Sequence, residues 1–187
     1  MSSGVQYVIL CEDLQARVFI RRALMKSGAN PRRIRPLPVA SESGGGAGDQ
    51  YVLRQYPGEV RAHRSSAARM QAALLVHIDV PPNMSVAQRQ VQFDQVLANN
   101  GQSPRAAQER IAHLVPKREI ETWIRFYLDG PPVDETVSYP KYEGHESDCH
   151  PAADAFADDA ANARVPPGAP ASLTPGLAEF ARVLPHA

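Results

Sequence analysis

Cysteine is scarce: the chain of 187 residues holds only Cys11 and Cys149, too far apart to suggest the linked framework of a small disulfide-rich domain. Aromatic side chains make up just 6%, with a single tryptophan, Trp123, which with Phe126 and Tyr127 offers the one cluster of rings as a stacking surface for bases. No apolar run approaches the length that crosses a bilayer. Residues 1–10 carry no basic cluster ahead of Val8-Ile9-Leu10, which argues against a signal peptide and for a cytoplasmic location. Internal repeats are absent. A nucleotide-hydrolysis fingerprint is missing too: Gly44-Gly45-Gly46 fits neither a Walker nor a dinucleotide-binding pattern, so it reads as part of a flexible loop, and any ATP dependence must come from another chain. What remains suits one ordinary domain, 43% hydrophobic and 21% charged, with 17 Pro and 12 Gly marking many turns.

A net charge is lacking as well, yet the charges are unevenly placed. Residues 1–70 carry 11 Lys or Arg against 5 Asp or Glu, a surplus of +6, whereas residues 129–160 carry 1 against 9, a deficit of −8. A basic first third can lie along phosphates, with Arg17, Arg21, Arg54, Arg61 and Arg118 as candidate contacts. A solvated helix face explains the same arginines equally well.

Val5 to Cys11 is a near-continuous apolar run, too short for a helix and suited to a strand buried on both faces of a parallel sheet. After Glu12-Asp13 the period changes, and Ala16, Phe19, Ile20, Ala23 and Leu24 share one helical face before Gly28. Ile34 to Ala40, interrupted by Pro36 and Pro38, fits an edge strand. Ser41 to Gly48 reads as a loop, and Tyr51–Gln55 and Gly58–Ser65 as helical pieces broken near Pro57. Ala73 to Asp79 repeats the first pattern, an apolar run closing on a carboxylate. Ser85 caps a helix that runs toward Gly101. Ile111 to Val115 gives a fourth strand, and an amphipathic stretch follows through Glu119, Ile120, Trp123, Ile124 and Tyr127. Strands alternating with helices predict an α/β fold with a mainly parallel sheet of about four strands over residues 1–128. Residues 129–187 add an acidic, turn-rich segment and two C-terminal helices, about 152–164 and 174–184, packed on the same domain.

In such a sheet, ligands bind at the carboxyl ends of the strands, so Glu12 and Asp79 can converge from distant parts of the chain. Two carboxylates with water and a substrate phosphate are enough to hold Mg²⁺ or Mn²⁺ for phosphodiester chemistry. The plainer reading makes both acids solvated helix caps. His145, Asp148, Cys149 and His150 offer zinc donors but no paired Cys-x-x-Cys, which favours a structural loop. Cys11 and His77, inside expected strands, read as core residues rather than a nucleophile and its base. Helical spacing likewise places Trp123 in the core.

Val8-Ile9-Leu10-Cys11-Glu12-Asp13-Leu14 resembles the first strand and helix of Toprim-type domains, and Leu75-Val76-His77-Ile78-Asp79 is similar to their aspartate strand. Lys117-Arg118-Glu119-Ile120-Glu121-Thr122-Trp123 resembles a stretch found in small Toprim-like proteins related to the nucleases of overcoming-lysogenization-defect type. The likeness covers about residues 5–128. It implies a Rossmann-like sheet, a divalent metal, Mg²⁺ or Mn²⁺, and cleavage of nucleic-acid phosphodiesters, often beside a separate ATPase subunit in phage defence. Carried onto this chain, Glu12 is a metal ligand or general acid/base, Asp79 a metal ligand, and Glu119 and Glu121 candidates for the remaining acids. Lys117 and Arg118 would steady charge on the phosphate. Residues two apart on a helix point about 200° from each other, so both glutamates reach one ion only where the backbone is not yet helical. The pattern's second Asp, two positions after Asp79, is Pro81 here, which cannot ligate through its side chain.

These features lead to a metal-dependent nuclease acting on nucleic acid, with DNA as the expected substrate and a homo-oligomer as a possible assembly. An alternative is a catalytically silent Toprim-like subunit that binds a partner ATPase. A further alternative is a receiver-like signalling domain, with Asp79 as phosphoacceptor and Lys117 as its lysine.

Overall fold

A computed structural model describes residues 6–44, 46–67 and 70–184; Val5 and Gly45, assigned above to the first strand and the glycine-rich loop, lie outside the described residues. The short apolar runs become β1 (Gln6–Leu10), β2 (Ile34–Pro36), β3 (Ala72–His77) and β4 (Ile111–Leu114). They form one all-parallel sheet in the order β2-β1-β3-β4, with Tyr7 opposite Ile34 on one side and Ala73 on the other, and Leu74 opposite Ile111. This is the expected α/β architecture.

Alternate strand residues feed two cores, as the two-residue period of a strand requires. Tyr7, Ile9, Ala73 and Leu75 pack with α1 (Leu14–Lys26), α5 (Ile120–Asp129), α6 (His150–Ala161) and α7 (Leu173–Ala181). Leu10, Leu74, Val76 and Ile111 pack on the other face with α3 (Gly48–Ala67) and α4 (Val86–Asn99). Asp13 begins α1 by accepting the Ala16 N–H at 2.9 Å, and Ser85 begins α4 in a reciprocal box with Gln88. Trp123 is fully buried, stacked on Phe156 and donating its indole N–H to Ser172 Oγ at 2.8 Å.

Two local expectations are corrected. Pro57 does not break the chain: one helix, α3, runs through it, because Val52, Leu53, Tyr56 and Val60 on both sides of the proline are buried in the same core. Packing outweighs the lost hydrogen bond. Residues 41–43, read as loop, and Ala40, read as the end of the edge strand, form the one-turn α2 (Ala40–Ser43), closed by Gly44 at φ 62°.

The outer edge of β4 is closed by side chains. Arg105 donates to the Ile111 carbonyl at 2.7 Å, Glu179 accepts the His113 N–H at 2.8 Å, and the two side chains pair with each other. Inside the sheet, His113 is bonded as a neutral ring: Gln90 Oε1 faces Nδ1 at 2.8 Å, so Nδ1 carries the proton and Nε2 accepts the Tyr56 hydroxyl at 2.8 Å. Burial holds its pKa well below the ordinary value, so its contribution to stability is full above about pH 6.5 and is lost as the pH falls. Urea unfolding at pH 7.5 and pH 5 should show a weaker fold at pH 5, with a slope of up to about 1.4 kcal/mol per pH unit that His113→Gln flattens. An unchanged slope in that variant would assign the acid sensitivity elsewhere. Among the described residues, no helix is long and apolar enough to cross a membrane.

Candidate active site

The strand order reverses its winding between β1 and β3: the helix after β1 packs on one face of the sheet and the helix after β3 on the other. A crevice opens where the two connections part, and Glu12 and Asp79 stand at its rim. Glu12 Oε2 accepts the Asp79 N–H at 3.0 Å, which ties together residues 67 positions apart. The acidic pair after β1 thus divides its work, with Asp13 capping α1 and Glu12 facing the crevice. Gly48, the first residue of α3, makes room for it, since a Cβ there would lie 2.3 Å from Glu12 Cγ.

The crevice holds a cleft of about 310 Å³ lined by Glu12, Asp49, Asp79, Arg89, Arg118 and Glu119. Pairing continues past the strand ends, with Val80 N–H on the Pro116 carbonyl at 3.0 Å and Arg118 N–H on the Val80 carbonyl at 2.9 Å. This bridge carries residues 117–119 against the Asp79 loop. Arg118 takes a left-handed backbone at φ 76°, unusual for a side chain of its size, and reaches Ser138 Oγ at 2.7 and 2.9 Å. Buried Arg89 donates to the Asp79 carbonyl at 2.8 Å.

Asp79 has one oxygen, Oδ1, that is buried without a hydrogen-bond donor. His77 Nε2 lies 3.3 Å from it, near enough for charge attraction but not aligned as a hydrogen bond. Burial pushes the Asp79 carboxyl above its ordinary pKa against the pull of His77. On the His77 imidazole, burial pulls downward, and Asp79 and its neighbours outweigh it, for a net rise. Burial, aided by the charge of Asp79, pushes Glu12 up to about 7. Negative charge here exceeds the cations that face it.

Glu119 precedes α5 in an extended conformation, φ −167° and ψ 160°, while Glu121 sits in the first turn of the helix. That break in backbone geometry lets both carboxylates face one point despite their spacing. The cation they share is the Lys141 ammonium, 3.0 Å from Glu121 Oε2 and 3.4 Å from Glu119 Oε2. Glu119 Oε1 also accepts the Tyr139 N–H. Glu121 is 1% exposed, and its Oε1 has no partner; burial pushes its carboxyl up to about 7, against the lowering pull of Lys141.

The other expected residues lie elsewhere. Lys117 spends its ammonium on the carbonyls of Pro81, Pro82 and Met84, stapling the turn after β3. Arg17 is paired bidentately with Glu42 at 2.7 and 2.8 Å, and Arg21, Arg54 and Arg61 are exposed. Arg17 and Arg21 belong to α1 and Arg54 and Arg61 to α3, on opposite faces of the sheet, and of the five expected arginines only Arg118 lines the cleft. Arg89, Gly48 and Lys141 carry no motif in the sequence; His77, expected in the core, is fully buried there with Nε2 beside Asp79. Lys141 had left a signal as the only base within residues 129–160.

Among the described residues, no three His, Cys, Asp or Glu side chains are disposed to hold a metal ion unaided. Mg²⁺ and Mn²⁺ ask less, since one or two carboxylates with water and substrate oxygens commonly suffice. Glu12 and Asp79 fit that requirement: both offer hard oxygen donors, Asp79 Oδ1 has no aligned hydrogen bond, and the carboxylates of Glu12, Asp49, Asp79 and Glu119 line the cleft against the guanidinium groups of Arg89 and Arg118. Comparison with protein-family models, curated proteins and solved structures yields no match to this chain.

Proposed function

We propose that the chain is a metal-dependent phosphodiester hydrolase acting on nucleic acid, DNA first among the candidates, in the manner of the Toprim-like proteins it resembles. The observation that carries this reading is the meeting of Glu12 and Asp79 at the reversal point of the sheet, with Asp79 Oδ1 held only by the unaligned contact to His77. Mg²⁺ or Mn²⁺, when bound to these two acids, would polarise the scissile phosphate and acidify a water. The chain's own part is positional. Arg118 presents a guanidinium from a strained backbone to the same cleft, where a phosphate oxygen can take two of its N–H groups. Arg89 fixes the Asp79 backbone, and Lys117 holds the turn behind it. An ATPase partner and a role in phage defence belong to the same proposal, resting on the resemblance alone.

A second reading, a silent nucleic-acid or ATPase-binding subunit, draws on Pro81 in place of an acid and on the exposed arginines of α1 and α3. Incubation with plasmid, linear and single-stranded DNA and with RNA separates the two. The hydrolase should cleave at least one substrate in Mn²⁺ or Mg²⁺ and stop when EDTA is added. Absence of metal-dependent cleavage on all four would leave only the binding role.

A further inference from the structure

Lys141 reaches the site from a segment far along the chain and places its ammonium between the carboxylates of Glu119 and Glu121, at 3.4 and 3.0 Å. Burial opposes a charge on this lysine, and the two glutamates outweigh that cost, so the amine stays protonated well above neutral pH. The neighbouring residues are anchored as well: Tyr139 donates its N–H to Glu119, and Ser138 Oγ accepts from Arg118. The segment therefore delivers its one cation to a fixed place. Glu121 still has a wholly buried oxygen, Oε1, without any donor. Such an atom is the open position that a second hard cation would take if the ammonium were withdrawn.

We infer that Lys141 is a built-in cation that occupies the Glu119–Glu121 position beside the cleft and so excludes a second divalent ion from that position. The inference extends the hydrolase reading, in which Glu12 and Asp79 hold the first ion. Glu121 and Lys141 line a pocket with Asp13 and Gln15, next to the cleft of Glu12, Asp79 and Glu119. There the protein supplies covalently the positive charge that a divalent ion would otherwise bring to the two glutamates. The ammonium cannot bring a bound water to attack, so Lys141 acts as a positioning residue that holds Glu119 and Glu121 in place.

The test is the number of Mn²⁺ ions bound per chain, measured by calorimetry and by loss of the free Mn²⁺ spin-resonance signal. Lys141→Met keeps the length of the side chain and removes its charge, while Lys141→Arg keeps the charge. The lysine is 45% exposed, so both variants should fold. Lys141→Met should bind one ion more than the wild type, Lys141→Arg the same number, and Lys141→Met with Glu121→Gln should return to the wild-type number. Equal numbers in wild type and Lys141→Met would overturn the inference. The difference between those two proteins judges Lys141, whereas the absolute number in the wild type judges the first metal: a wild type that binds none removes the metal hydrolase even where the difference of one persists.

Discussion

Asp79→Asn should lower metal-dependent cleavage by at least about 100-fold, and Glu12→Gln by a similar factor, with the loss expressed in kcat. Each change keeps shape and removes a charge. The Asp79→Asn chain retains the backbone N–H that Glu12 accepts, and the side-chain carbonyl introduced by Glu12→Gln can still accept it, so the tie between the two strand ends survives in both variants. What disappears is one of the two hard anionic donors proposed to hold the ion. Because the two acids act on one ion, the double variant should fall little further than either single one. Activity within about threefold of wild type in both variants would remove these residues from the chemistry.

Trp123→Ala should unfold more easily than wild type by about 3–5 kcal/mol, a large part of the 5–15 kcal/mol typical of a domain. The indole is fully buried, stacked on Phe156 with ring centroids 5.7 Å apart, and bonded to Ser172, so its removal opens a cavity and orphans a hydroxyl. A smaller change on the facing helix tests the same contact. At Gly176 an added Cβ would lie 2.3 Å from Trp123 Cη2, and a rigid ring in a packed core has little room to yield. Gly176→Ala should therefore destabilise by about 1–3 kcal/mol, despite the better helix propensity of alanine. Trp123 is the sole tryptophan, so its emission reports unfolding of Gly176→Ala directly; Trp123→Ala is followed by circular dichroism. A Gly176→Ala protein as stable as wild type would show that α7 can shift away from the ring.

Much of the fold was written in local pattern. Apolar runs closing on Glu12 and on Asp79 marked β1 and β3, Ser85 marked the start of α4, and the α/β alternation fixed the parallel sheet. Pro57 misled because a helix can lose one hydrogen bond when both flanks bury apolar side chains in one core. The site was legible in its acids and opaque in its cations. Lys141 meets Glu121 only after the chain has folded back across α5, and no spacing rule links positions 20 apart through an irregular segment. Arg17 pairing with Glu42 depends on α2, which local reading had taken for loop. The Glu119 and Glu121 pair was visible as a question of backbone geometry, and the extended conformation of Glu119 answers it.

The Arg105 and Glu179 pair on β4 has a consequence for how this molecule meets others. A partner that joins by laying an extended segment along a sheet needs free amides and carbonyls to zip onto. At β4 those of Ile111 and His113 are already taken, and at the opposite border β2 is three residues long and ends on Pro36, which has no amide to give. Recruitment into a larger assembly must then proceed through helix surfaces or through the loops around the cleft, and runaway stacking of one copy on the next is blocked at both borders.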